Sequence, residues 1–361
     1  MTRIHLLSPG FAFPNSRGLI YPLVVHRHAL ADTGIEFRIF DKVDGPAAAC
    51  DILVVDSKFH RDWWIGRADE VLEQFARFRA TAGRIVYFDT TDSTGWIQTE
   101  LLPLVDLYAK SQLLVDRTAY LRPMYGHRPH TDFYYRTAGV SDEEPEWSTP
   151  IADGAHLEKL AVGWNSALAD WSFGGKYRMA AFQRLGWPWL LRSRIDTHRP
   201  DRPRPVDVSC RISTDYRRVS VAYQRREVKR RLGRYVPTTR LGRAAYFREL
   251  ESARIVASPF GYGEINYRDY ESMISGAALL KPSMAHLDTW PALWSDGVTM
   301  LAHAWDLSDI DTVLQRALED RSGTQSVAER AQALYARHLD PDDGAELFAA
   351  RVRMMLDQVA R

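Results

Sequence analysis

The stretch from Arg254 to Leu280 constrains this chain most, because its hydrophobic period changes from strand to helix and back within one short segment. Arg254-Ile-Val-Ala257 is an apolar run of strand type, and Pro259, Gly261 and Gly263 break it into a tight, backbone-exposing turn. From Asn266 to Ser275 the period is helical. Tyr270, Met273 and Ile274 share one face, and Arg268, Glu271 and Ser275 share the opposite one. Gly276 suits the C-cap, and Ala277 to Leu280 reads as a second buried strand. Strand, glycine turn, helix and strand make a βαβ unit, which requires parallel strands.

Units of this kind place ligands beyond the carboxyl ends of their strands. The amides of Gly261, Tyr262, Gly263 and Glu264, together with the positive end of the helix starting at Asn266, are expected to meet a phosphate there. Arg268 adds a full charge in bidentate geometry, so a diphosphate suits the site. Glu264 and Glu271 would be repelled by phosphate, but a carboxylate accepts well from sugar or ribose hydroxyls. The competing reading is that Arg268 and Glu271 form a solvated i,i+3 ion pair while the glycines only turn the chain.

The N-terminal half repeats the alternation. Ile4 to Ser8, Phe37 to Phe40, Ile52 to Asp56, Arg84 to Asp89 and Val105 to Ala109 read as short strands, with helical patterns at Leu19 to Ala31 and Ala68 to Ala80. This order predicts a parallel, Rossmann-like α/β sheet. The turn after the first strand lacks G-x-G-x-x-G and no G-x-x-x-x-G-K-[ST] occurs, which argues against nicotinamide and P-loop chemistry. A length of 361 residues suggests two domains. Proline stiffens Arg199 to Pro205, so the boundary is placed there, between residues 1–200 and 201–340, with 341–361 a C-terminal helix.

The strand ending at Asp89 runs into Phe88-Asp-Thr-Thr-Asp-Ser-Thr94, setting two carboxylates at the carboxyl edge of the first sheet. Chemistry that activates a hydroxyl at this edge needs a general base, for which Asp92 and Asp89 are candidates; turn and cap formation is the alternative use. Lys110 reads as a surface lysine or a cleft residue, and His26 and His28 lack metal-ligand spacing. Arg122 to Ile151 has no period and reads as a long loop. Trp164, Asn165, Trp171, Trp187 and Trp189 make an aromatic-rich region, either core or a sugar-stacking platform. The helix from Val219 to Arg234 is dense in Arg and Lys, either a solvated face or a docking face for anionic lipid or an anionic acceptor.

A net charge of +1 gives no global field, and nucleic acid is not expected as a partner. Cys50 and Cys210 sit in apolar runs, where reduced buried thiols are the ordinary reading. With no long apolar N-terminal run, a cytoplasmic protein, peripheral on the inner face of a membrane at most, is expected.

The block P-x-G-x-G-E-x(3)-R-x-x-E-x(4)-G from Pro259 to Gly276, with Lys281-Pro282 and the run from His286 to Pro291 after it, resembles the donor-binding half of GT-B glycosyltransferases. It is most similar to the bacterial group-1-like and exostosin-like branches. It departs from the retaining group-1 pattern, since six rather than seven residues separate Glu264 and Glu271. The role of Glu264, as catalytic or donor-binding residue, and the stereochemical outcome stay open. The resemblance implies two Rossmann-like domains facing a cleft, residues 1–200 as the acceptor domain and 201–340 as the donor domain, with the helix of 341–361 crossing back to the first, and transfer of a sugar from a nucleotide-diphosphate sugar without a metal or other cofactor. It also implies a glycan, lipid-linked or small-molecule acceptor, as in cell-surface polysaccharide or glycoconjugate synthesis. By the same resemblance Arg211 and Arg217, leaving the strand Val206 to Cys210, would hold the donor diphosphate, with Ser213 between them. The alternatives are a GT-B sugar-nucleotide epimerase or phosphorylase, or a non-catalytic nucleotide-sugar or membrane-binding module.

Overall fold

Alternating apolar strands and amphipathic helices build two parallel sheets in this computed structural model, which describes residues 2–43, 47–191 and 195–359. Residues 1, 44–46, 192–194 and 360–361, included in the expected domain spans, lie outside the described residues. In the first half the strands are β1 (Thr2–Leu7), β2 (Ile35–Phe40), β3 (Ile52–Asp56), β4 (Arg84–Asp89), β5 (Leu107–Lys110), β6 (Gln112–Leu114) and β7 (Leu160–Val162). The helices are α1 (Pro14–Val25), α2 (Arg27–Asp32), α3 (Ala68–Thr81), α4 (Pro129–Ala138) and α5 (Gly175–Leu185). Six strands form an all-parallel sheet in the order β2-β1-β3-β4-β5-β7. The order reverses between β1 and β3, and such a switch point opens a crevice at the carboxyl ends of the strands.

The second half contains β8 (Val206–Ser209), β9 (Ala253–Ala257), β10 (Ala278–Pro282), β11 (Leu287–Thr289) and β12 (Leu301–His303). Its helices are α6 (Val219–Leu232), α7 (Arg243–Ser252), α8 (Tyr267–Ser275), α9 (Ile310–Glu319), α10 (Arg321–Leu339) and α11 (Asp343–Val359). A four-stranded parallel sheet runs β12-β10-β9-β8, and β9, α8 and β10 form the βαβ unit. On α8, Tyr270, Met273 and Ile274 are buried in the core, while Gly276 closes the helix at φ +73°.

The two halves are stitched together. Strand β11 of the second half pairs antiparallel with β6 of the first, Asp288 opposite Leu113. Helix α11 returns to the first sheet, where Phe348 meets the Trp164 ring edge-on at 5.1 Å. Apolar contact of this kind, centred on large aromatic side chains, makes one continuous core beneath the cleft.

Several local expectations are corrected. The helix expected over Leu19 to Ala31 starts earlier, at Pro14, and splits into α1 and α2 because His26 leaves helical geometry at φ −100° and ψ 21°. The region from Arg122 to Ile151 is not all loop. It holds α4, with Pro129 in its first turn and Gly139 as a left-handed C-cap, and its aromatic interior hid the helical period. Trp164 and Trp171 are core, whereas Trp187 and Trp189 are exposed and stack on each other. Cys50 and Cys210 are buried free thiols.

Candidate functional site

Two cavities meet at the N-terminus of α8. The first, about 460 Å³, opens at the carboxyl ends of β8 and β9 and is bounded by Ser258, Asn266, Tyr267, Arg268, Glu271 and Tyr246. Its charged walls are Lys176, Arg211, Arg225, Arg240, Arg243 and Arg268 against the single carboxylate of Glu271. The second, about 240 Å³, lies between the halves, where Asn15, Thr90, Thr91 and Asp92 face Tyr262, Gly263, Asn266 and Tyr267. Asn266 and Tyr267 line both.

Helix α8 begins where it does because the Asp269 side chain accepts from the Asn266 amide at 3.1 Å, closing the first turn. Asp269 also takes Ser258 Oγ at 2.6 Å and Lys281 Nζ at 3.1 Å, and both members of that ion pair are fully buried. This pair fixes the helix against β9 and β10 and leaves Arg268 and Glu271 on the cavity side. Arg268 donates to the carbonyls of Ala257 (3.2 Å) and Arg211, and to Tyr246 Oη at 3.3 Å. Glu271 accepts from Tyr246 Oη at 2.9 Å, and burial pushes its pKa up.

Arg225 was hidden in the arginine-rich stretch of α6, where it read as one charge of a surface face. Instead it is 7% exposed, donating to the carbonyls of Ser213 (2.7 Å) and Phe260 (2.9 Å). Burial lowers its pKa to about 10. Neither Arg225 nor Arg268 forms an ion pair among the described residues; Arg225 is buried, whereas Arg268 is half-buried and has Tyr246 and Glu271 near enough to hold its pKa above the usual value against desolvation. Uncompensated buried charge is costly, and an anionic ligand would relieve it. The rest of the basic helix is divided: Arg230 pairs with Glu227, and Arg231 with Asp311.

The remaining expected donor ligands are placed differently. Arg211 lines the cavity but is clamped by Glu249, with contacts of 2.6 to 3.0 Å, so its charge is already neutralised. Ser213 and Arg217 are exposed and line neither cavity. The glycine turn is not an open amide cradle. The Gly261 amide donates to the Gly263 carbonyl at 3.0 Å, and the Phe260 amide donates to Gln224 Oε1 at 2.8 Å. A Cβ on Gly263 would fall 2.0 Å from the Asp92 carbonyl oxygen, so this glycine lets the two halves touch.

Glu264 is fully buried at that contact. Its carboxylate accepts from the Thr94 amide (3.1 Å) and hydroxyl (2.9 Å), with His130 Nδ1 at 3.8 Å. Burial alone would raise its pKa, but His130 and the Thr94 amide outweigh that and hold it at about 2. Glu264 is therefore a clasp between the halves and not a group in the cleft.

Asp89 is corrected as a base for a similar reason. Its carboxylate meets Lys110 Nζ at 2.6 Å, Tyr108 Oη at 2.8 Å and the Thr91 amide at 2.8 Å, with 0% and 1% of the paired Lys110 and Asp89 side chains exposed. Burial opposes its ionisation, yet Lys110 holds its pKa below the ordinary value. Lys110 is accordingly neither a surface nor a cleft residue. Asp92 is different: it is exposed, lines the cleft, and one oxygen accepts from Asn15 Nδ2 at 2.7 Å, leaving the other free for a hydroxyl.

The arrangement is of the GT-B type, with two Rossmann-like parallel-sheet domains facing a cleft. No protein-family model matches the chain. No curated protein matches it either. Among solved structures it is similar to Anabaena HepE in complex with UDP-glucose, at 13% identity over 98% of this chain and 100% of that one, with a TM-score of 0.45. It is also similar to an alpha-glucosyltransferase in complex with UDP and a 13-mer DNA, at 10% identity over 100% of both chains and a TM-score of 0.41. Sucrose-phosphate synthase from Thermosynechococcus elongatus gives 12% identity over 99% of both chains and a TM-score of 0.42. The two sheets and their cleft, not these scores, define the architecture.

The expectation that nucleic acid is no partner does not stand. Among the similar solved structures are alpha-glucosyltransferase complexes with DNA. Among the described residues no group of His, Cys, Asp and Glu is gathered to hold a metal ion, and no helix is long and apolar enough to cross a membrane.

Proposed function

We propose that this chain is a glycosyltransferase that moves a sugar from a nucleotide-diphosphate sugar to an acceptor hydroxyl. The observation that carries the reading is the pair of guanidinium groups without an ion-pair partner among the described residues, buried Arg225 and half-buried Arg268, in a cavity that joins a second one holding Asp92. The diphosphate lies on Arg225, Arg268 and the first turn of α8, whose dipole favours negative charge. Glu271, steadied by Tyr246, accepts from ribose hydroxyls. The sugar passes Asn266 and Tyr267 into the cleft, where Asp92 takes the proton of the incoming hydroxyl. As the bond from sugar to phosphate breaks, the charge growing on the leaving diphosphate is met by groups already in place. Polysaccharide or glycoconjugate synthesis is the setting proposed for such a transfer.

The test is a thermal-shift screen across uridine, guanosine, adenosine and thymidine diphosphates, followed by turnover assays. One nucleotide should raise the midpoint, since a ligand at a hundred times its Kd adds about 2.7 kcal/mol to the folded state. Arg225→Gln and Arg268→Gln should each remove that gain. Release of nucleoside diphosphate should depend on an acceptor and fall roughly 10²- to 10⁴-fold in Asp92→Asn. Binding without release under any acceptor would mark a carrier module, and accumulation of a free epimer would mark an epimerase.

A further inference from the structure

The two cavities divide charge between them. Five cations that have no ion-pair partner among the described residues, Lys176, Arg225, Arg240, Arg243 and Arg268, line the cavity on the β8 side. None lines the cleft cavity, and Arg128 lies behind the lining Tyr262, whose carbonyl and ring it holds. The polar lining of the cleft cavity is amides and hydroxyls, among them Asn15, Thr91, Ser111, Gln112 and Ser166, and its single charged residue is Asp92. Buried guanidinium groups invite anions, whereas a ring of amide and hydroxyl dipoles beside a carboxylate suits neutral hydroxyls and repels a second carboxylate.

We infer that the transferred sugar carries no carboxylate or phosphate of its own. The inference rests on the diphosphate occupying the β8-side cavity, as above. The donor then enters with its anionic half on the arginines and an uncharged hexose-type ring, bearing hydroxyl or acylamido groups, beside Asp92. Asp92 thus acts twice on the same ring's surroundings: it accepts the acceptor's proton, and it excludes donors of the uronic acid class. A second carboxylate held about 7 Å from Asp92 in a partly solvated cleft loses on the order of tenfold in affinity.

The experiment uses the nucleoside diphosphate that stabilises the protein most, esterified with glucose or with glucuronate, and measures both affinities by calorimetry. The glucose ester should bind at least tenfold more tightly. Ile265→Arg adds a cation to the cleft at a side chain with no hydrogen bond to lose, and it should narrow the ratio threefold or more. A wild-type ratio of one or less, or a ratio untouched in the folded Ile265→Arg variant, overturns the inference while nucleotide binding persists. Failure of every nucleoside diphosphate to bind removes the donor reading itself, and the inference with it.

Discussion

Replacing Lys110 by Met separates two roles that Asp89 has been given. In the wild type the Lys110 ammonium sits 2.6 Å from Asp89 with both side chains shielded from water. Met fills much of the same volume but leaves a buried carboxylate held by neutral donors, Tyr108 Oη and Thr91, with no counter-charge in contact. Breaking a buried pair from one side costs about 3–5 kcal/mol. With a midpoint shift of roughly 2–4 °C per kcal/mol for domains of 150–250 residues, Lys110→Met should melt about 6–20 °C lower. The double variant Asp89→Asn/Lys110→Met removes both charges and should recover at least half of that loss. Scanning fluorimetry measures the midpoints, and release of nucleoside diphosphate at 20 °C measures turnover. The folded double variant should keep turnover within about tenfold of wild type, whereas Asp92→Asn, a surface substitution costing within about 0.5 kcal/mol, should fold normally and lose it. A single variant melting within 2 °C of wild type would refute the energetic argument, and a folded but inactive double variant would return Asp89 to the chemistry.

Gly263→Ala should push the halves apart at Asp92, costing about 1–3 kcal/mol of stability and lowering turnover through the displaced carboxylate; calorimetry and a turnover assay read the two effects. Glu264, held at about 2 in the fold, binds a proton more readily when unfolded, so its contribution is present above pH 4.3 and lost as pH falls toward 2. Its size is of order 3 kcal/mol, and the midpoint gap between wild type and Glu264→Gln should shrink over that window. His26, His303 and His338, each lowered to about 4 chiefly by burial, make a second acid-sensitive set. Their stabilisation is complete above pH 6.5 and declines from there toward pH 4, so the melting midpoint should already drop between pH 7 and 5.

The βαβ unit around α8 was legible because its evidence is local: a breaker, a cap and a helical period lie within a few residues of each other. Arg268 and Glu271 followed from that face. Asp89 was misread because its partner, Lys110, lies on the neighbouring strand, and only the sheet order makes Asp89 and Lys110 adjacent. Arg225 was missed in a run of like residues, where composition describes the run and not which member turns inward. Helix α4 was passed over although Pro129 and Gly139 mark its ends, since Phe133, Tyr134 and Tyr135 blur the apolar stripe. The glycines read as a turn exposing amides to phosphate, but what Gly263 makes room for is the Asp92 backbone of the other half.

The β6–β11 ribbon has a consequence for how such a protein can be re-engineered. Its hydrogen bonds run between halves that would otherwise be natural units for exchange, so a chimaera cut at residue 200 would strand β11 with an unpaired edge and leave Glu264 without Thr94. A foreign acceptor half would be tolerated only if it brought its own equivalents of Gln112 to Leu114, Thr94 and His130. New acceptor specificity is more readily sought by changing loops around the cleft than by transplanting a whole domain.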